Sequence, residues 1–360
     1  MKPPVHLIFA SFSTLPLCLF FQCIMKQGKS SCQIRTHLKG EQKRVLMRNL
    51  IVLLVMALST LADASESREI RYQSSADQSE QPAMFYAPAS ETPVPLVVAL
   101  HTWSGNYKQR SHRAIEKWCM EQGWAYIHPD FRGPNNRPEA TGSELVVADI
   151  VSAVEYAKKT SNIDDSSVFL IGTSGGGYTA LVMAGHHPEI WAGVSAWVPI
   201  SDLAAWHAQG KHVEALEQSC GGAPGDSPAI DAEYAKRSPI TFLSNAKGTT
   251  LHLYAGIKEK IVSVSHSLLA FNEVTALKDK ISDKDIAYFV KKRKVPPKLQ
   301  ADLSDPSYDP KQPLFKRESG NATVTTFDGG HQLVATAAIA WIQEVHNEKK
   351  NKPNTRDAKE

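Results

Sequence analysis

Cysteine is scarce in this 360-residue chain: five in all, three of them (Cys18, Cys23 and Cys32) within the first 64 residues. The other two, Cys119 and Cys220, are far apart and show no C-x-x-C spacing. They are expected to form one structural disulfide or to remain two buried thiols, and neither a thiolate metal cluster nor a dithiol redox motif fits them. No His, Asp or Glu cluster has metal-ligand spacing. His186-His187 comes just before Pro188 and reads as a helix end. No cofactor or metal is expected. A basic patch with interleaved aromatics is also missing, which argues against a nucleic-acid partner. The run Lys291-Lys292-Arg293-Lys294 follows an apolar helical segment and is expected to be a solvated helix end. There is no internal repeat, and no apolar run is long and clean enough for a comfortable membrane span.

Two shorter apolar stretches lie at the N-terminus. Val5 to Met25 is interrupted by Pro16, and Leu50 to Ala62 is preceded by Met47-Arg48-Asn49 and followed by Asp63-Ala64-Ser65. A basic residue, a short apolar run and an A-x-A site describe a secretory signal peptide. The expectation is therefore an export region over 1–64, with a signal at 47–64, a natural start at Met47 and a mature chain from about Ser65. That chain would be secreted or periplasmic, with no stable membrane insertion. A membrane anchor at Val5–Met25 is the alternative. Residues 1–64 carry 8 Lys and Arg against 2 Asp and Glu, so a chain of net charge +3 leaves a remainder with 32 against 35, a net −3. The basic balance belongs to the export region.

From residue 65 to 346, strand-like and helix-like patterns alternate, which predicts an α/β fold with a mainly parallel sheet. Glu69–Gln73 and Ala83–Tyr86 read as an opening hairpin. Strands are expected at Pro95–Leu100, Trp124–His128, Val168–Ile171, Ile190–Val198, Leu251–Ala255 and Val324–Phe327. Helices are expected at Gln109–Glu121, Ser143–Lys159 and Leu333–Val345. Two connections, Ala204–Pro239 and Leu277–Ser319, exceed ordinary loop lengths and are expected to be insertions of the lid or cap kind. Residues 347–360 are charged and read as a disordered tail.

The chemistry centres on Gly172-Thr173-Ser174-Gly175-Gly176, between the Val168 strand and a helix-compatible stretch. This pattern makes a sharp strand-to-helix turn that exposes a strained serine, the arrangement of an acyl-transfer hydrolase. Serine needs a base within hydrogen-bond reach, and the base needs a carboxylate to hold its tautomer. His331, in Phe327-Asp328-Gly329-Gly330-His331, follows the last strand and is the expected base. Glu259, after the penultimate strand, is the expected acid. Asp202 is the alternative, and Asp328 shares a tight turn with His331. His112, His207 and His212 have polar neighbours and read as surface residues. Two backbone N–H groups should receive the oxyanion: one from Gly175, the other from the loop His101-Thr102-Trp103-Ser104-Gly105, with Trp103 favoured and Thr102 possible. The Trp103 indole is either a wall of the acyl pocket or a core residue. Tyr178 and Trp206 are weaker pocket candidates.

The serine turn, Gly256-Ile257-Lys258-Glu259-Lys260-Ile261-Val262 and Asp328-Gly329-Gly330-His331 together resemble the catalytic domain of the prolyl oligopeptidase family. Asp130-Phe131-Arg132-Gly133 and Arg237-Ser238-Pro239 are similar to further segments of that family. The resemblance runs over about residues 69–345. It implies an α/β-hydrolase fold, Ser174 as nucleophile and His331 as base and then acid, with Glu259 where the family usually has aspartate. It also implies the hydrolase domain without the family's β-propeller. Such relatives resemble esterases acting on acetyl, feruloyl or other sugar-linked esters as often as peptidases. The substrate is thus expected to be a peptide, a small ester or a sugar ester. A glutamate that orients its histidine poorly would favour esters. A non-catalytic binding protein on the same fold is the competing class.

Overall fold

The computed structural model describes residues 66–351, together with Arg48. The expected signal segment apart from Arg48, the three early cysteines and the last nine positions of the expected tail lie outside them. A nine-stranded sheet runs in the order β1-β2-β4-β3-β5-β6-β7-β9-β8. Its strands are β1 Arg68–Gln73, β2 Glu80–Tyr86, β3 Val94–Leu100, β4 Ala125–Pro129, β5 Ile163–Thr173, β6 Gly193–Trp197, β7 Leu251–Gly256, β8 Pro313–Ser319 and β9 Ala322–Phe327. Pairing is parallel from β4 through β3, β5, β6 and β7 to β9. It is antiparallel at both margins, where β1, β2 and β8 lie.

The central strands are apolar throughout because helices cover both of their faces. On β3, Leu96, Val98 and Leu100 join one core while Val97 and Ala99 join the other. Helices α1 Arg113–Gln122 and α9 Ala335–Asn351 supply Ile115, Trp118, Ala338 and Ile342 to one side. Helices α2 Glu144–Thr160, α3 Gly175–His186 and α7 Ser265–Val274 supply Val146, Ile150, Leu181 and Leu268 to the other. The Ser143 hydroxyl caps α2 by accepting the Val146 N–H. Every residue of α3 before His186 is buried, as expected for a helix sandwiched between sheet and surface layers.

Several boundaries differ from expectation. The first helix begins at Arg113 rather than Gln109, and β6 begins at Gly193, after a 3-10 turn over Pro188–Ile190. The closing helix runs on to Asn351, into the stretch expected as tail. Cys119 and Cys220 are both buried free thiols, in separate apolar clusters.

The two long connections do different things. In 204–239, α4 Leu203–Ala208, α5 Val213–Cys220 and α6 Pro228–Arg237 build a third apolar cluster with Trp103, Tyr178 and Val262. The stretch 277–319 does not form a cap of that kind. It forms α8 Asp283–Lys292 and then β8, which pairs with β9 and extends the sheet. Lys291 and Lys292 are the exposed last turn of α8, with Arg293 as its left-handed cap.

Candidate active site

Ser174 sits at the C-terminal end of β5 with φ 58° and ψ −119°, a conformation a non-glycine residue holds only when its surroundings enforce it. The Ser174 N–H donates to Trp197 O at 2.9 Å, and its carbonyl begins α3 by accepting the Tyr178 N–H. Side chains at the neighbouring glycines would collide with backbone. A Cβ on Gly172 would overlap the Gly176 carbonyl, and one on Gly175 would overlap the Trp103 amide. Strand, turn and oxyanion-side loop can approach this closely only without those atoms.

His331 and Glu259 come to Ser174 from the ends of β9 and β7. The two loops are tied together by Ile257 N–H to Phe327 O at 2.9 Å and Lys258 N–H to Gly329 O at 2.8 Å. Gly329 and Gly330 are not in the left-handed region. Close packing demands glycine here at Gly256, whose Cβ would overlap the Gly330 and Gly329 carbonyls, and at Gly329, whose Cβ would overlap the buried Phe327 ring. His331 Nε2 lies 2.8 Å from Ser174 Oγ, and His331 Nδ1 lies 2.8 Å from Glu259 Oε2.

The protons follow from these contacts. A carboxylate only accepts, so Nδ1 carries the imidazole proton and Nε2 is left to accept the Ser174 hydroxyl. The Glu259 side chain is 1% exposed, while that of His331 is 21% exposed. Burial works to raise the Glu259 pKa. The His331 hydrogen bond and backbone N–H donors outweigh it, so the group stays below its ordinary range and ionised. Its second oxygen, Oε1, accepts N–H bonds from Lys260 and Ile261 at 2.7 Å each and from Val262 at 3.3 Å. The acid is held firmly between its flanking lysines, so the condition that would favour esters on that ground, a poorly oriented carboxylate, is not met. Lys258 pairs instead with Asp328.

Asp202 is not brought to His331. Its carboxylate caps α4 by accepting the Ala205 N–H at 2.9 Å. Asp328, turned to Lys258, does not contact His331 through its side chain either.

Trp103 and Gly175 stand side by side across the turn. Neither of their N–H groups has a hydrogen-bond partner among the described residues. The Thr102 N–H is taken by Gln109 Oε1 at 2.8 Å. The Trp103 indole is 4% exposed and meets Trp206 edge-on at 4.7 Å. Trp206 is fully buried, its indole N–H donating to Ile261 O on the acid loop at 3.0 Å. Tyr178 is a core residue whose hydroxyl donates to Arg237 O. Exposed His212 lies 5.7 Å from the Trp103 ring, and burial with the nearby charges of His331 and Lys211 holds its pKa down. His112 departs from its surface reading: it is 1% exposed, packed edge-on against His128. A cleft of about 940 Å³ lies elsewhere, lined by His252, Tyr308, Thr325 and Trp341 and by none of Ser174, Glu259 or His331.

The sequence matches the profile of the prolyl oligopeptidase family over residues 110–292, half of the chain and inclusive of Ser174 and Glu259. The chain belongs to the prolyl oligopeptidase family. It has the α/β-hydrolase fold, and the family to which it belongs is one of serine hydrolases. The fold is similar to that of Pyrococcus horikoshii acylaminoacyl peptidase, with a TM-score of 0.54 and 16% identity over 80% of this chain and 42% of that one. It is also similar to puromycin hydrolase, with a TM-score of 0.51 and 15% identity over 79% and 38%. By sequence it is 24% identical over 140 residues to feruloyl esterase B of Thermothelomyces thermophilus, covering 36% of this chain and 47% of that protein. The chain spans less than half the length of each of these relatives.

Proposed function

We propose that this family member hydrolyses carboxylic esters through an acyl-enzyme on Ser174. The observation that carries the reading is the continuous path Ser174–His331–Glu259, two contacts of 2.8 Å, beside two unpartnered amides. His331 Nε2 takes the hydroxyl proton as Ser174 Oγ bonds to the acyl carbon. The carbonyl becomes an oxyanion received by Trp103 and Gly175 N–H, and Glu259 stabilises the imidazolium. Collapse breaks the bond to the leaving alkoxide, which takes the proton from His331. Water then repeats the sequence on the acyl-enzyme, returning carboxylic acid and free Ser174. Each oxyanion donor is worth roughly 3 kcal/mol in such a step.

The esterase relative supports an ester. Peptide cleavage is the second reading, favoured by the family itself. Nitrophenyl acetate, methyl ferulate and a prolyl anilide, compared by kcat/KM, distinguish the two. The ester reading requires turnover of one or both esters to exceed that of the anilide by about 100-fold, and the reverse order would return the peptidase. Export is part of the proposal: residues 65–346 would be the secreted or periplasmic domain, and N-terminal sequencing of the exported protein should begin near Ser65.

A further inference from the structure

We infer that Gln109 is a positioning residue for the oxyanion-binding amide of Trp103. Its two ends grip one residue: Oε1 accepts the Thr102 N–H at 2.8 Å, and Nε2 donates to Thr102 Oγ1 at 2.8 Å. Gln109 is itself anchored, its N–H donating to Asn106 O at 2.9 Å. The Thr102 carbonyl accepts the Gly105 N–H at 3.0 Å. In a trans peptide the C=O and the following N–H point in opposite directions. Holding the Thr102 carbonyl toward Gly105 therefore turns the Trp103 N–H the other way, toward Gly175. On its far side Trp103 O accepts from Asn135 N–H at 2.8 Å and from the Asn135 side chain at 3.3 Å.

Without the Gln109 grip, the Thr102 N–H and hydroxyl would lose their partner, and only the Gly105 N–H and His101 Nδ1 (2.9 Å) on the Thr102 carbonyl would still fix the peptide that follows. Gln109 also decides which amide is available: by occupying Thr102 N–H it leaves Trp103 as the loop's donor. Space around the grip is closed, because a Cβ on Gly105 would collide with Gln109 Oε1 and Cδ. A preorganised donor acts on the transition state and hardly on the neutral ground state, so the signature is in kcat rather than KM.

The inference rests on the proposed acyl-enzyme chemistry, and its test separates the two. Gln109→Leu, Gln109→Glu and Gly105→Ala are compared with the unmodified protein for ester turnover, melting temperature and inhibition by a trifluoromethyl ketone, whose adduct with serine carries an oxyanion. Gln109→Leu should lower kcat about 10- to 100-fold with KM within about twofold, and weaken the trifluoromethyl ketone by the same factor. Gln109→Glu keeps an acceptor for both the Thr102 N–H and the Thr102 hydroxyl, so it should recover most of the loss. Gly105→Ala, which displaces Gln109 without removing its amide, should reproduce the Leu result if Gln109→Leu fails to fold. A folded Gln109→Leu with unchanged kcat and inhibition overturns the inference, as does a loss that tracks melting temperature equally in Leu and Glu variants. An unmodified protein that neither turns over esters nor binds the ketone would instead overturn the acyl-enzyme reading.

Discussion

The two long connections, 204–239 and 277–319, look alike in sequence and take opposite roles. The first sends Trp206 and Leu216 into a cluster with Trp103 and Val262, and so packs against the loops that carry the acid and the oxyanion-side amide. The second sends Ile286, Phe289 and Phe315 into the main core and lays β8 along the open edge of β9. Phe289 meets Phe315 at 5.3 Å. The link from 277–319 toward the site is indirect: Gln312 O accepts the Asp328 N–H on the loop that carries His331. Length marks an insertion, whereas the destination of its apolar side chains decides whether it shapes a site or completes a sheet. An unpaired edge is itself a reason for the second outcome.

That contrast can be broken in four places. The largest effect belongs to the site: Glu259→Gln should lower kcat/KM by about 10⁴-fold while the protein stays folded, because only the tautomer and charge support are lost. Steady-state rates beside circular dichroism check it. Next, Phe289→Ala in 277–319 should cost about 3–5 kcal/mol in urea unfolding, yet leave the ratio of ester to anilide rates unchanged. A changed ratio would mean that this stretch reaches the site after all.

The third effect is a pH dependence. Burial lowers the His112 pKa from 6.5 to about 4, and that of His266 likewise. Below 6.5 the unfolded chain takes up protons that the folded one refuses. This contribution is fully present above 6.5, shrinks as pH falls toward about 4, and then levels off. Each group adds a slope of up to about 1.4 kcal/mol per pH unit in that window. His101 and His128 are shifted in the same direction by burial. No histidine lies in 277–319, so His112→Gln, not a change in that stretch, should flatten the melting-temperature profile between pH 6.5 and 4. The smallest effect is Trp206→Phe, which removes the bond to Ile261 O and should cost about 1 kcal/mol. Urea unfolding of the two proteins reads the loss.

Much of this architecture was legible from the chain. Continuous apolar runs such as Leu96–Leu100 announce strands covered on both faces, and chain order alone lines up Ser174, Glu259 and His331 for the place where they meet. What stayed hidden depends on partners distant in sequence. The polar neighbours of His112 suggest a surface residue, but its ring turns inward between Thr173 and His128. Gln109 looked like the start of a helix because its side chain's use, the grip on Thr102, leaves no periodic signal. Strand β8 is short of alternation and becomes a strand by pairing with β9. The choice between Asp202 and Glu259 likewise needed the loops in place, since both follow strands and both are carboxylates.

The most direct test of Ser174 as nucleophile is intact-mass and peptide-mapping analysis after treatment with a fluorophosphonate, for the unmodified protein, Ser174→Ala and His331→Ala. A single adduct on Ser174, absent from Ser174→Ala and formed far more slowly in His331→Ala, is the predicted result. A folded, unmodified protein that forms no adduct, or an adduct that persists in Ser174→Ala, would contradict it.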